Sequence, residues 1–114
     1  MTVEVSLDRF EQLVGEALTL LPPQLARFMD NVVVFVDESH PEQLLGLYEG
    51  IPLTERGDYG YGELPDTVTI YRAGICSVCA DEDQVVEEVA VTVVHEIAHH
   101  FGIDDDRLAE LGWD

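Results

Sequence analysis

Apolar residues near the N-terminus recur at the spacing of an α-helix. They are Phe10, Leu13, Val14, Ala17, Leu18 and Leu21. This pattern predicts an amphipathic helix over residues 6–21, because residues three and four positions apart share one face of a helix. Ser6 is a suitable N-cap, and Pro22 and Pro23 predict the end of the helix.

A second helical pattern lies near the C-terminus, over residues 84–101. Its apolar stripe consists of Val86, Ala90, Val93, Val94, Ile97 and Phe101. Asp81 and Gln84 resemble a capping box in front of this helix, although Asp83 is an equally good cap. A further turn or two of helix is predicted after residue 105.

Between the helices, the pattern changes to that of β-strands. Residues 32–36 are a continuous apolar and mostly β-branched run, which predicts a strand covered on both faces. Residues 67–71 alternate between polar and apolar, which predicts a strand with one solvated face. Residues 44–48 fit either a strand or a turn of helix.

The second predicted helix contains the candidate catalytic and metal-binding residues, in the sequence HEIAH over residues 95–99. Residues i and i+4 project from nearly the same helix face, so His95 and His99 can bind one zinc ion. Glu96 lies beside them, where it can act on a water molecule without being a ligand. Gly102 can end the helix in the left-handed conformation, which allows the chain to return with Asp105 as the third ligand. Asp106 could replace Asp105 only by a shift in register.

Two histidines, one carboxylate and an open fourth position are typical of a catalytic zinc site. The pattern HExxHxxGxxD and much of the remaining sequence resemble the minimal zincin-like metallopeptidases, a family of small single-domain bacterial proteins. The resemblance includes Leu44 to Gly50 and Leu64-Pro65-Asp66. It implies the α+β class and a minimal zincin-like fold, in which a small mixed β-sheet packs against the N-terminal helix and the HExxH helix. It also implies one zinc ion per chain, held by His95, His99 and Asp105, with Glu96 as catalytic acid and base.

We therefore expect a zinc-dependent peptidase, in which Glu96 takes a proton from a metal-activated water and passes it to the leaving amine. His100, Tyr71, Tyr59 and Tyr61 are candidates for stabilising the oxyanion. By analogy with zincins, residues 67–71 are the candidate edge strand for binding an extended peptide. The glycine-rich and tyrosine-rich residues 54–63 fit a flap over the cleft or a plain surface loop. Glu88 and Asp104 could orient a metal ligand, or they could simply be solvated.

The net charge narrows the range of partners. The chain has 114 residues, the size of one domain spanning residues 1–114, and 24 acids against 5 bases give a charge of −19. Such a charge repels nucleic acid and disfavours a ribonuclease, whereas it favours metals and basic peptide or protein substrates. The same charge could instead serve solubility alone. No apolar run is long enough for a secretory signal or a membrane span, so we expect a cytoplasmic protein.

Two features leave room for other interpretations. Cys76 and Cys79 form a C-x-x-C pair, which we interpret as inert thiols in a reducing compartment, with metal binding or redox switching as the alternatives. The short chain leaves little material for a substrate cleft. The alternative function is therefore a catalytically silent zinc-binding module that regulates or binds another protein.

Overall fold

The computed structural model describes residues 2–26, 29, 32–50 and 65–110, apart from the side chains of Gln24, Ala26 and Asp105. The described chain contains five helices and three strands. The helices are α1 Leu7–Leu18, α2 Pro23–Ala26, α3 Arg72–Ser77, α4 Glu82–His100 and α5 Asp105–Glu110. The strands are β1 Val32–Asp37, β2 Gly46–Glu49 and β3 Asp66–Tyr71. Residues 54–63, for which a flap or a surface loop is predicted, lie outside this description.

The strands of the described chain form one mixed sheet in the order β1-β3-β2. β1 pairs in parallel with β3, with Val32 opposite Asp66, and β2 pairs antiparallel with β3, with Gly46 opposite Ile70. The predicted α+β class with a small mixed sheet is therefore confirmed. Residues 44–48, for which a strand and a helical turn are both compatible with the sequence, contribute the strand β2.

One core joins the sheet to the two long helices. Its fully buried members include Phe10, Leu13 and Ala17 of α1, Val68 and Ile70 of β3, and Val85, Val89, Val93 and Ile97 of α4. These side chains are apolar and meet on one face of the sheet, so the hydrophobic effect holds the three elements together. The predicted packing of the sheet against the N-terminal helix and the HExxH helix is confirmed.

α1 begins as predicted and ends earlier than predicted. The Ser6 hydroxyl oxygen accepts a hydrogen bond from the Arg9 N–H at 3.2 Å, as an N-cap does. The helix ends at Leu18 and not at Leu21, because the N–H groups of Thr19 and Leu20 bond to carbonyls three residues back. The prolines do not stop α1 directly, since Pro23 opens the short helix α2 at a position where proline is favourable.

The sheet corrects two predictions about strand environment. β1 is not covered on both faces, because its side chains alternate and Val33 and Phe35 are 38% and 53% exposed. A continuous apolar run does not by itself distinguish a strand covered on both faces from a strand at the edge of a sheet. β3 alternates between buried and half-buried residues as far as Ile70, but Tyr71, on the face predicted to be solvated, is buried. β3 is also the central strand and pairs on both sides, so it cannot be the edge strand that binds a substrate. β2 is the strand that flanks β3 on the side of α4.

None of the helices in the described part of the chain combines the length and the apolar character needed to cross a lipid bilayer.

Candidate active site

The HExxH motif lies in the last two turns of α4, and both ends of this helix are fixed by local hydrogen bonds. At the start, the Asp81 carboxylate accepts the Gln84 N–H at 2.8 Å, and the Gln84 side chain accepts the Ala80 N–H at 2.7 Å. Asp81 is therefore the cap, and Asp83 is not. Glu82 and Asp83 in the first turn complement the positive end of the helix dipole.

At the other end, Gly102 closes α4 in the left-handed conformation, with φ of +79°. Its N–H bonds to the His99 carbonyl, and the Ile103 N–H bonds to the Ala98 carbonyl at 2.7 Å. This pair of bonds is a Schellman motif, which satisfies carbonyls that a helix end would otherwise leave unpaired. Ile103 packs onto the small core cluster that includes Ala98, so the turn after the motif is fixed by packing as well.

The two motif histidines face each other. Their ring centroids are 5.7 Å apart, with an angle of 56° between the rings. Two imidazoles bound to one tetrahedral zinc at about 2.1 Å have ring centres about 5 Å apart. The observed ring spacing is therefore close to that of two imidazoles that share one zinc ion. His95 is half-buried and His99 is exposed, so the pair lies where the interior meets solvent.

The third predicted ligand, Asp105, is the first residue of α5 and follows the Gly102 turn closely. Its side chain lies outside the description. Among the side chains that are described, no group of three or more His, Cys, Asp and Glu residues is placed to hold a metal. Asp104 has a structural role, because its carboxylate accepts the Arg107 N–H at 2.9 Å near the start of α5.

A cavity of about 380 Å³ opens beside the motif, between α4 and the start of β2. Its lining comprises Leu44, Leu45, Gly46, Glu88, Val91, Thr92, His95 and Glu96. Glu96 and His95 thus line the same cavity. A second cavity of about 470 Å³ shares the Leu44 and Leu45 wall and extends to His40 and Gly74.

This shared wall is held in place by two close approaches. A Cβ on Gly46 would lie 2.7 Å from the Thr92 methyl group of α4. A Cβ on Gly74 of α3 would overlap the carbonyl oxygen of Leu44. Only glycine permits both contacts, so the segment from Leu44 to Gly46 lies tightly between α3 and α4.

Comparison with known proteins agrees with this geometry. Residues 29–113 match the model of the zincin-like metallopeptidase family. The chain belongs to the zincin-like metallopeptidase family. The match contains the whole of α4 and both cavities. No curated protein matches the chain.

A solved structure shares the fold of this zincin-like chain. It is a conserved hypothetical protein from Thermus thermophilus, with a TM-score of 0.54 and 22% identity. The alignment covers 85% of this chain and 94% of that one. At this identity the similarity extends to the fold alone.

One carboxyl group beside the zincin motif is absent from the sequence-based prediction of the site. Asp66 is only 8% exposed, and its Oδ2 accepts the Tyr48 hydroxyl at 2.6 Å. The same oxygen lies 3.9 Å from Nε2 of His100, and the His100 ring stacks on Tyr48 with centroids 3.9 Å apart. The sequence does contain a signal for it, because Asp66, Val68 and Ile70 alternate along β3 and place the carboxyl group on its buried face.

The candidates for stabilising the oxyanion are placed differently from one another. His100 is in contact with Tyr48 and Asp66. Tyr71 is buried, with its ring against His40 at 5.4 Å, and it does not line the cavity that contains Glu96. Burial raises the pKa of Tyr71, and the charges of Glu49 and Asp37 raise it further. Tyr59 and Tyr61 lie outside the described residues.

The C-x-x-C pair lies near the end of α3, within the core. Cys76 and Cys79 are both buried free thiols. Burial raises the pKa of Cys76 and raises that of Cys79 to about 11, with the charge of Glu88 next in effect on Cys79. A reactive cysteine needs a lowered pKa, so this environment agrees with the interpretation of inert thiols.

Proposed function

We propose that this protein is a zinc-dependent peptidase, with His95, His99 and Asp105 as zinc ligands and Glu96 as catalytic acid and base. The observation that carries the proposal is the position of His95 and Glu96 on one cavity wall, with the His99 ring 5.7 Å from that of His95. Membership of the zincin-like family supports it. A bound zinc ion would supply the Lewis acidity that hydrolysis of a peptide requires.

Glu96 supplies the proton transfers. Its carboxylate is half-buried in the cavity and follows His95 directly, which places it one residue around the helix from a ligand. It takes the proton from the attacking water and then delivers this proton to the departing amine nitrogen. The apolar residues of the wall, Leu44, Leu45 and Val91, limit the access of bulk water to this transfer.

The expected substrates are peptides or proteins, and the charge of −19 favours basic ones over nucleic acid. The cytoplasmic location remains a prediction from the sequence.

Glu96→Gln is the most direct test of the enzymatic proposal. This variant should keep about one zinc per chain and lose peptide hydrolysis by a factor of at least about 10², because a positioned acid and base contributes about 10²–10⁴ to the rate. A peptide library, read out by mass spectrometry, measures hydrolysis, and elemental analysis measures zinc. A wild-type protein that binds zinc and cleaves no peptide would favour the silent zinc-binding module.

His99→Ala tests the metal site on its own. Removing one imidazole should abolish stoichiometric zinc binding, because His95 and Asp105 would remain as a pair of ligands. His40→Ala is the matched control, since His40 lies in the loop before β2, where its Nδ1 accepts the Glu42 N–H. Equal zinc content in both variants would refute the ligand assignment.

A further inference from the structure

We propose that Glu88 selects a lysine or arginine side chain of the substrate, two or three residues from the bond that is cleaved. This inference rests on the proposed peptidase function and assigns a specificity determinant within the same cavity. Glu88 and His95 both line that cavity, and both belong to α4. They are seven residues apart, which places them within about 20° of the same helix face.

The separation along the helix suits Glu88 to a substrate side chain better than to a zinc ion bound at His95. Seven residues of α-helix rise about 10.5 Å, whereas zinc ligands lie about 2 Å from the metal. An extended peptide rises about 3.3 Å per residue, so this distance corresponds to about three residues of substrate. A peptide that lies along α4 with its scissile bond beside His95 would therefore bring a side chain about three residues away to Glu88.

The cavity between the two glutamates suits a long cationic side chain. Leu44, Leu45 and Val91 provide apolar surface, which favours the aliphatic stem of lysine or arginine. Glu88 provides a half-buried carboxylate for the charged end. A charge-assisted hydrogen bond is about twice as strong as a neutral one, so the carboxylate discriminates more sharply than a hydroxyl would.

The arginines of the described residues are engaged elsewhere. Arg9 pairs with Glu82, Arg72 with Glu38 and Arg107 with Glu110, and none of these glutamates lines the cavity. The chain contains no lysine. The overall negative field further raises the local concentration of cationic peptides.

The experiment uses pairs of fluorogenic peptides. In each pair, one peptide carries a single lysine at one of the three positions on either side of the scissile bond. The other peptide carries norleucine at the same position, which keeps the aliphatic stem of the side chain and removes its charge. Hydrolysis and binding are measured with the zinc-loaded wild type, Glu88→Gln and Glu88→Lys. Glu87→Gln is the matched control, because Glu87 is the exposed preceding residue of α4 and makes the same charge change outside the cavity.

We expect the wild type to prefer lysine over norleucine by about tenfold or more in kcat/KM at one position, as one charge-assisted contact provides. The preference should reside in KM. The ratio of lysine to norleucine peptide should fall to about one in Glu88→Gln, fall below one in Glu88→Lys, and stay at the wild-type value in Glu87→Gln. A wild-type ratio near one, or an unchanged ratio in Glu88→Gln, would overturn the inference while leaving the peptidase intact.

If the wild type cleaves none of the peptides, the proposed function fails, and binding alone then decides this inference. Fluorescence anisotropy would give the affinities of the same peptide pairs for the zinc-loaded protein. A basic-peptide site would be supported if the wild type binds the lysine peptide more tightly than the norleucine peptide and Glu88→Gln abolishes this difference. Equal binding of both peptides would refute it.

Discussion

The carboxyl group of Asp66, beside the HExxH motif, is buried and therefore needs hydrogen-bond partners. Removing a charged or polar group from water is costly unless hydrogen bonds replace the lost hydration. Tyr48 donates such a bond at 2.6 Å, and the stacked ring of His100 covers the same carboxyl group. Because His100 follows the proposed ligand His99, this contact also fixes the C-terminal end of α4 relative to β2.

Tyr48→Phe should therefore reduce stability. The ring and its stacking on His100 would remain, while Asp66 would lose a hydrogen-bond donor. We expect the free energy of unfolding to fall by about 1.5–3 kcal/mol, the range for a hydrogen bond to a charged group. Urea denaturation at neutral pH measures the change.

Asp66→Asn and the double variant complete a thermodynamic cycle. If the hydrogen bond between Tyr48 and Asp66 causes the loss of stability, the effect of Tyr48→Phe should be smaller in the Asp66→Asn background, because the two residues act as a pair. Fully additive effects would show that Tyr48 stabilises the fold through its ring alone.

At the scale of elements, the cavity wall depends on how closely α3 and α4 approach the segment before β2. Gly74 meets the Leu44 carbonyl, and Gly46 meets the methyl group of Thr92. A backbone carbonyl cannot rotate away as the end of a side chain can. The contact at Gly74 is therefore the less tolerant of the two.

Gly74→Ala should destabilise the protein by about 1–3 kcal/mol, the usual cost of overpacking, although alanine favours a helix. It should also weaken peptide hydrolysis, since Leu44 and Leu45 would move. Gly15→Ala is the control, because Gly15 lies in α1 with nothing within 4 Å of an added Cβ. That variant should be more stable by about 0.5–1 kcal/mol. Thermal and urea unfolding compare the pair, and equal stability of both variants would contradict the close approach at Gly74.

The elements predicted correctly are those with local signals. The caps Ser6 and Asp81 and the glycine stop at Gly102 act within four residues of the chain, so the sequence identifies them. The approach of His95 to His99 is equally local, since it follows from helix geometry.

The errors concern contacts between distant segments. The apolar run in β1 contains no information about which strand will flank it, and the exposure of Phe35 follows from its place in the sheet. The periodicity predicts Phe101 on the buried stripe, yet this residue is 44% exposed, because α4 ends one residue before it. The residues around Asp66 and Glu88 belong to β2 and α4. The sequence alone does not predict that these two elements lie side by side.

At the scale of the whole molecule, two of the described arginines, Arg9 and Arg72, join segments that are distant in this acidic sequence. Arg9 links α1 to the start of α4 through Glu82, with N–O distances of 2.9 and 3.1 Å. Arg72 holds Glu38, lowering the pKa of that carboxyl group, and donates to the Val5 carbonyl at 2.8 Å. The N-terminal segment is thus attached to the motif helix through Glu82 and to the first residue of α3 through the Val5 carbonyl.

The packing of α1 has a consequence for where the folding unit begins. The family model starts at residue 29, yet Phe10, Leu13 and Ala17 are buried against the same core as the motif helix. A fragment comprising residues 29–113 would expose Val85, Val89 and Val93 to water and should aggregate or lack a cooperative thermal transition. Calorimetry of the fragment beside the full chain measures this, and a transition of similar midpoint in both would disprove it. The segment that matches the family model thus shares its hydrophobic core with α1, a helix that lies outside the match.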